Sequence, residues 1–221
     1  MAAQPLEDTL TITPLGSGQE VGRSCHLIQF RGRTVLLDCG IHPGRSGLDA
    51  LPFLDTVDLS EVDLMLVSHF HIDHAAGVPY ITEKTNFQGR VFMTHPTKAV
   101  MRMLLSDYIR LLPQDDRGEG GLYDEEDLAR CCDRVELVDF HQVVEHEGIR
   151  FWSYNAGHVL GRVEVNHWFG GSPPNFRTLY LNQIEVDSAD FWTDRLLSSS
   201  SRSTAKESGP NRSTTRTLNS G

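Results

Sequence analysis

The chain has 221 residues, with 20 Lys and Arg against 30 Asp and Glu and a formal net charge of −10. That length suits one large domain or a domain with a tail, and it can bury a sizeable core. The acidic balance argues against whole-surface attraction to nucleic acid but leaves room for a local basic groove. No apolar run approaches the roughly 18 residues a membrane span needs, so no membrane association is expected. Met1 to Thr11 lacks the basic-then-apolar order of a secretory signal. Cys25, Cys39, Cys131 and Cys132 form no CxxC pair, which reads as reduced and intracellular.

In chain order, Leu10–Thr13, His26–Phe30 and Thr34–Asp38 read as strands, the last two joined by a turn at Arg31-Gly32-Arg33. Val62–Ser68 is a short apolar run suited to a strand buried on both faces. Arg90–Thr94 is another strand. Pro96–Leu112 has apolar residues at helical spacing, with Pro in the first turn. Pro113–Gly121 reads as a polar loop, Glu125–Cys132 as a short helix, and Val135–Phe140 and Ile149–Tyr154 as strands. Phe151, Trp152 and Tyr154 are expected in the core. Val163–Phe169 and Thr178–Val186, whose alternation is only fair, are candidates for substitute strands. Strands and helices alternating in this way predict a layered α/β domain without internal repeats. Ser198–Gly221 is Ser/Thr-rich and basic, with almost nothing to bury, and is expected to be disordered. The predicted divisions are residues 1–161, a divergent segment 162–197, and the tail 198–221.

The chemistry is concentrated in Ser68-His69-Phe70-His71-Ile72-Asp73-His74, directly after the buried strand. His69 and His71 are two apart and can point the same way as the chain leaves the strand. Asp73 and His74 follow on the next bend. A single His at a strand end is ordinary, whereas three imidazoles and a carboxylate in HxHxDH supply nitrogen and oxygen ligands suited to zinc. His158, in Ala156-Gly157-His158-Val159-Leu160-Gly161, is a candidate third ligand beside His69 and His71. Asp38 ends its strand before Cys39-Gly40 and is either a carboxylate orienting a ligand imidazole or an ordinary turn residue. Gly16–Gly22 lacks the pattern of a phosphate-binding loop and reads as a turn at the rim of the site. His26, His42, His95, His141, His146 and His167 have no ligand spacing among themselves.

HFHIDH with AGHVLG downstream resembles the metallo-β-lactamase superfamily. LGSGQEVGRSC, LLDCGIHPG, SHFHIDHAAGVPY, GRVFMTHPTKA and LLSDYI are similar to one branch, the endonuclease subunit of the cleavage and polyadenylation specificity factor, with the nuclease subunit of the Integrator complex as a close relative. The resemblance implies an αββα sandwich, two zinc ions, and hydrolysis of pre-mRNA in the nucleus alongside other subunits of the 3′-end processing complex. It assigns His69, His71 and His158 to the first zinc, and Asp73 and His74 to the second. Asp73 is also the candidate catalytic carboxylate, and Asp38 matches the aspartate near the metals. The resemblance fades after Gly161: no Thr-Gly-Asp turn follows, Gln183 stands where the metal-bridging Asp belongs, and neither Asp187 nor Asp190 restores the motif. The fold is therefore expected to be incomplete and activity impaired, with two, one or no zinc ions bound. Two alternatives remain open at this point. One is a non-catalytic isoform or fragment acting through protein binding. The other is a small-molecule hydrolase of the thioesterase type.

Overall fold

The computed structural model describes residues 9–111 and 121–169. The expected tail 198–221, nearly all of the loop 113–121, the strand Thr178–Val186, and Gln183, Asp187 and Asp190 lie outside the described residues.

Among the described residues, nine strands form two sheets. The larger has six strands in chain order: β1 (Thr11–Gly16), β2 (Cys25–Phe30), β3 (Arg33–Leu37), β4 (Leu64–Leu66), β5 (Arg90–Met93) and β6 (Val135–Leu137). β1, β2 and β3 are antiparallel, joined between β2 and β3 by the Arg31-Gly32 turn. From β3 to β6 the pairing is parallel. The second sheet is antiparallel: β7 (Val144–His146), β8 (Ile149–Asn155) and β9 (Val163–Phe169). Val163–Phe169 is thus a strand, as its alternation suggests, and it pairs along the full length of β8.

The period-two alternation of strand side chains decides which core each residue enters. Leu27, Leu36, Met65, Val67, Val91 and Met93 point to the helical side. Their neighbours Ile28, Val35, Leu64, Leu66 and Phe92 point to the other face, where they meet Ile149, Phe151, Val163 and Val165 of the second sheet. β4 is buried on both faces, which is why its sequence is apolar without alternation.

The helices α1 (Ile72–Ala75), α2 (Val78–Lys84), α3 (His95–Leu111) and α4 (Glu125–Arg134) contribute to the first core. The described residues therefore make three layers: helices, six-stranded sheet, three-stranded sheet. α4 opens on a capping box, in which the Asp124 carboxylate accepts from the backbone of Glu126 and Asp127 and the Asp127 carboxylate accepts from the Asp124 amide. α2 and β7 escape sequence reading because both are short. Phe151 is buried, but Trp152 is only half-buried and Tyr154 is 41% exposed, so the expectation that all three fill the core holds for one. Cys25, Cys39, Cys131 and Cys132 are all buried free thiols. Among the described residues no helix is long and apolar enough to cross a membrane.

Candidate metal centre

The site forms where β3 and β4 end side by side. The Asp38 amide donates to the Leu66 carbonyl, extending the parallel pairing by one residue. Asp38 then turns at φ 56°, a left-handed conformation that Asp tolerates better than most residues. This turn aims its carboxylate at the residue following Val67. Oδ1 accepts from the Ser68 amide at 2.6 Å, and Oδ2 accepts from the Ser68 hydroxyl at 2.7 Å and from His74 Nδ1 at 2.8 Å.

This network fixes two tautomers. The one proton of the Ser68 hydroxyl goes to Asp38, so Ser68 Oγ can only accept from His69 Nδ1, 2.9 Å away. His69 then carries its proton on Nδ1 and presents the lone pair of Nε2. His74 likewise gives Nδ1–H to Asp38, leaving Nε2 to face Asp73 Oδ2 at 3.4 Å and Ser24 Oγ at 3.5 Å. Asp38 thus orients His74 directly and His69 through Ser68.

Chain packing holds α1 against this turn. The Cys39 amide donates to the His74 carbonyl, Ile41 to Ile72, and Ser24 to Asp73. Gly40 makes the approach possible, because a Cβ there would lie 1.7 Å from the Asp73 carbonyl oxygen. His158 arrives from the loop between β8 and β9, at φ 68°. The loop is anchored at its far end. The Thr94 hydroxyl donates to the Gly161 carbonyl at 2.7 Å, Thr97 does so at 3.3 Å, and the Val163 amide donates to Ser68 at 3.0 Å.

The result is three converging imidazoles. His69 Nε2 lies 3.2 Å from His71 Nδ1, which lies 3.3 Å from His158 Nε2. One ligand atom from each falls within 4.8 Å of the others. A tetrahedral zinc with bonds of about 2.0 Å needs nitrogens about 3.3 Å apart, so the donor set fits a metal in both chemistry and spacing.

Protonation separates the two halves of the site. Burial and the nearby His74 charge push His69 down to about 3, so its ring is neutral. His71 is lowered by burial and by His158. Burial alone would lower His74, but Asp38 and Asp73 outweigh it and raise it to about 9. Hydrogen bonding to His74 holds Asp73 low, and Asp38 stays low against its burial because His74 and Ser68 bond its charged form. Holding a cation at His74 Nε2 therefore requires displacing that ring's proton.

The five candidate ligands and Asp38 gather at one point, with His69, His71 and His158 forming one cluster and Asp73, His74 and Asp38 another beside it. The ring centroids of His69 and His74 are 4.3 Å apart. Sequence reasoning passed over Ser68 and Ser24. Both lie inside motifs that carry the resemblance, Ser68 at the head of SHFHIDHAAGVPY and Ser24 in LGSGQEVGRSC, but neither motif gives the serine a role. Gly16–Gly22 lies near the site, since Ser17 Oγ donates to Ser24 Oγ. Its first part, Gly16–Glu20, also lines a cavity of about 480 Å³ with Arg23 and Phe53. Arg23 there is bonded to Glu20 and to the Asp49 and Leu51 carbonyls, so it presents no open donor set for a phosphate. Among the other histidines, His42 Nδ1 accepts from Gly44, His141 packs edge-on to Tyr154, and His146 bonds Arg90.

Residues 27–163 match the metallo-beta-lactamase superfamily domain, and the chain belongs to that superfamily. It is 53% identical over 186 residues to endoribonuclease ysh1 of Schizosaccharomyces pombe, covering 81% of this chain and 24% of that protein. It is 55% identical over 154 residues to cleavage and polyadenylation specificity factor subunit 3-I of Arabidopsis thaliana, covering 70% of this chain and 22% of that one. The chain spans about a quarter of the length of these relatives. The ysh1 match takes in more residues than lie before Gly161, so the likeness runs further than the motifs that reveal it. Among solved structures, a B3 metallo-beta-lactamase with an active-site glutamic acid superposes with a TM-score of 0.47 at 19% identity, over 74% of this chain and 57% of that one.

Proposed function

We propose that the chain carries the metal site of a zinc-dependent RNA endonuclease acting in pre-mRNA 3′-end formation, in the nucleus and with other subunits of the processing complex. The observation that carries this reading is the convergence of His69, His71 and His158 on one point, in a chain about half identical to an endoribonuclease and to a cleavage and polyadenylation factor subunit. His69, His71 and His158 would hold a first metal, and Asp73 and His74 a second. Metals held there supply positive charge to the phosphoryl oxygens and make water a stronger nucleophile at neutral pH.

The chain's own residues prepare that chemistry. Asp38 and Ser68 hold both rings at Nδ1, so that His69 presents the lone pair of Nε2 inward and His74 does so once its Nε2 proton is displaced. Asp73 lies low enough in pKa to remain an anion at neutral pH and partners His74. His71 and His158 leave one side of the cluster open to solvent, where an extended substrate can enter.

The test is metal content per chain by elemental mass spectrometry, together with cleavage of a labelled single-stranded RNA. Wild type is expected to carry zinc and cut RNA, and His71→Ala to lose both. Zinc retained in His71→Ala would remove His71 from the ligand set. Zinc bound by wild type without cleavage of RNA would reject the endonuclease reading for this chain.

A further inference from the structure

Immediately after the loop that delivers His158 stands a cation that the site has not accounted for. Arg162 is half-buried, and its Nε is sealed from solvent and meets no hydrogen-bond acceptor among the described residues. Its backbone is fixed on both sides. Its carbonyl accepts from Ala156, its amide donates to Val159, and the next residue, Val163, donates to Ser68, the neighbour of His69. The side chain therefore starts from a pinned point, one residue before β9, whose first residue bonds the segment that carries the histidine pair. Its charge reaches both rings, contributing to the lowering of His69 and of His71.

A guanidinium in this position needs an anion. Sealing a polar N–H from water without a partner costs about 1–3 kcal/mol, and more when the group is charged. The two carboxylates of the site are committed elsewhere: Asp38 to Ser68 and His74, and Asp73 to His74. The three clustered histidines cannot serve, because an imidazole carries no negative charge to offset a guanidinium. The open side of the cluster is lined by exposed His158, four residues before Arg162, and by part-exposed His71. An anion entering there with two oxygens in one plane matches the fork of an arginine.

We infer that Arg162 is a phosphate anchor, gripping a non-bridging phosphate oxygen of an extended nucleic-acid strand at the edge of the three-histidine cluster. The inference rests on the reading of that cluster as a phosphodiester-cleaving site. It adds a residue outside the metal ligands and gives the substrate a fixed register, because phosphate contacts position a strand without reading its bases.

The experiment uses the full chain as purified, with zinc content measured, in wild type, Arg162→Gln and Arg162→Lys. Inorganic phosphate is titrated by calorimetry, and a fluorescein-labelled unstructured oligoribonucleotide by anisotropy at several salt concentrations. Arg162→Gln is expected to weaken phosphate about tenfold or more, the range for one lost charge-assisted bond. Its RNA affinity should depend less on salt, with the log–log slope smaller by about 0.7, the value for one phosphate contact on a single strand. Arg162→Lys, a charge without the fork, should fall between. Zinc content and melting temperature should stay at wild-type values.

Unchanged phosphate affinity and salt slope in Arg162→Gln would overturn the inference. So would a lower melting temperature as its only effect, since that is a structural role, and so would a wild type that binds no phosphate. If wild type binds phosphate through Arg162 but not RNA, the anchor stands and the RNA reading falls. If RNA binding is intact and indifferent to Arg162, the RNA reading stands and the anchor falls.

Discussion

At the scale of single residues, Asp38 has the widest reach. One carboxylate accepts three bonds and thereby sets two imidazoles, one of them through a serine hydroxyl. Asp38→Asn would place an amide N–H against donors that already point inward, leaving buried polar groups opposed. The expected cost is about 3 kcal/mol of stability, read from urea unfolding. Zinc affinity should fall about ten- to hundredfold, read by competition with a chromogenic chelator. Wild-type affinity in that variant would mean that the tautomers are set by something else. The sequence revealed the candidate ligands because HxHxDH compresses four of them into six residues. It left Asp38 undecided between an orienting carboxylate and a turn residue, because a pairing across 36 residues leaves no local signature. Arg162 had no signal at all: its interest lies in a missing partner, which only a folded chain can display.

At the scale of elements, α4 is the most explicit case of sequence writing structure. Asp124 and Asp127 cap it reciprocally, and Asp127 also pairs with Lys84 of α2 at 2.7 Å while only 1% exposed. Burial would raise the Asp127 carboxyl, but Lys84 and the Asp124 amide hold it below its ordinary value. A carboxyl depressed in the folded state binds fewer protons there than when unfolded. It therefore stabilises the fold above its unfolded pKa, and that contribution fades as pH falls through the folded one. Urea midpoints measured from pH 6 down to pH 3 should decline less steeply in Asp127→Asn than in wild type, with the two curves converging at the acid end. Parallel curves would mean that the Lys84 pair does not couple α2 to α4. The parallel strands were legible from apolar runs, and α3 from its spacing. α2 and β7 were not, because a seven-residue helix and a three-residue strand are too short for periodicity to rise above chance.

At the scale of the whole molecule, the donors come from both sheets: His69 and His71 follow β4 of one, and His158 follows β8 of the other. A metal held between them would tie the two layers together at one end. Zinc at about a hundredfold over its dissociation constant should stabilise the fold by about 2.7 kcal/mol. That corresponds to about 5–10 °C in melting temperature for a domain of this size, read by scanning calorimetry with and without chelator. His71→Ala should show no such difference, and a wild type whose melting ignores chelator would mean that the sheets are not joined through metal. The layered architecture was legible because alternation assigns each strand residue to one core or the other. The meeting of the two sheets was not, since it is made by residues far apart in the chain. That separation has a consequence in time. His71 and His158 stand 87 positions apart, whereas His69, His71, Asp73 and His74 are neighbours. During synthesis the local group emerges long before its distant partner, and closing so large a loop waits on the docking of the second sheet. A nascent chain would therefore hold a cation weakly at first and seal it only once β8 and β9 dock, so that maturation of the centre would report docking of the second sheet.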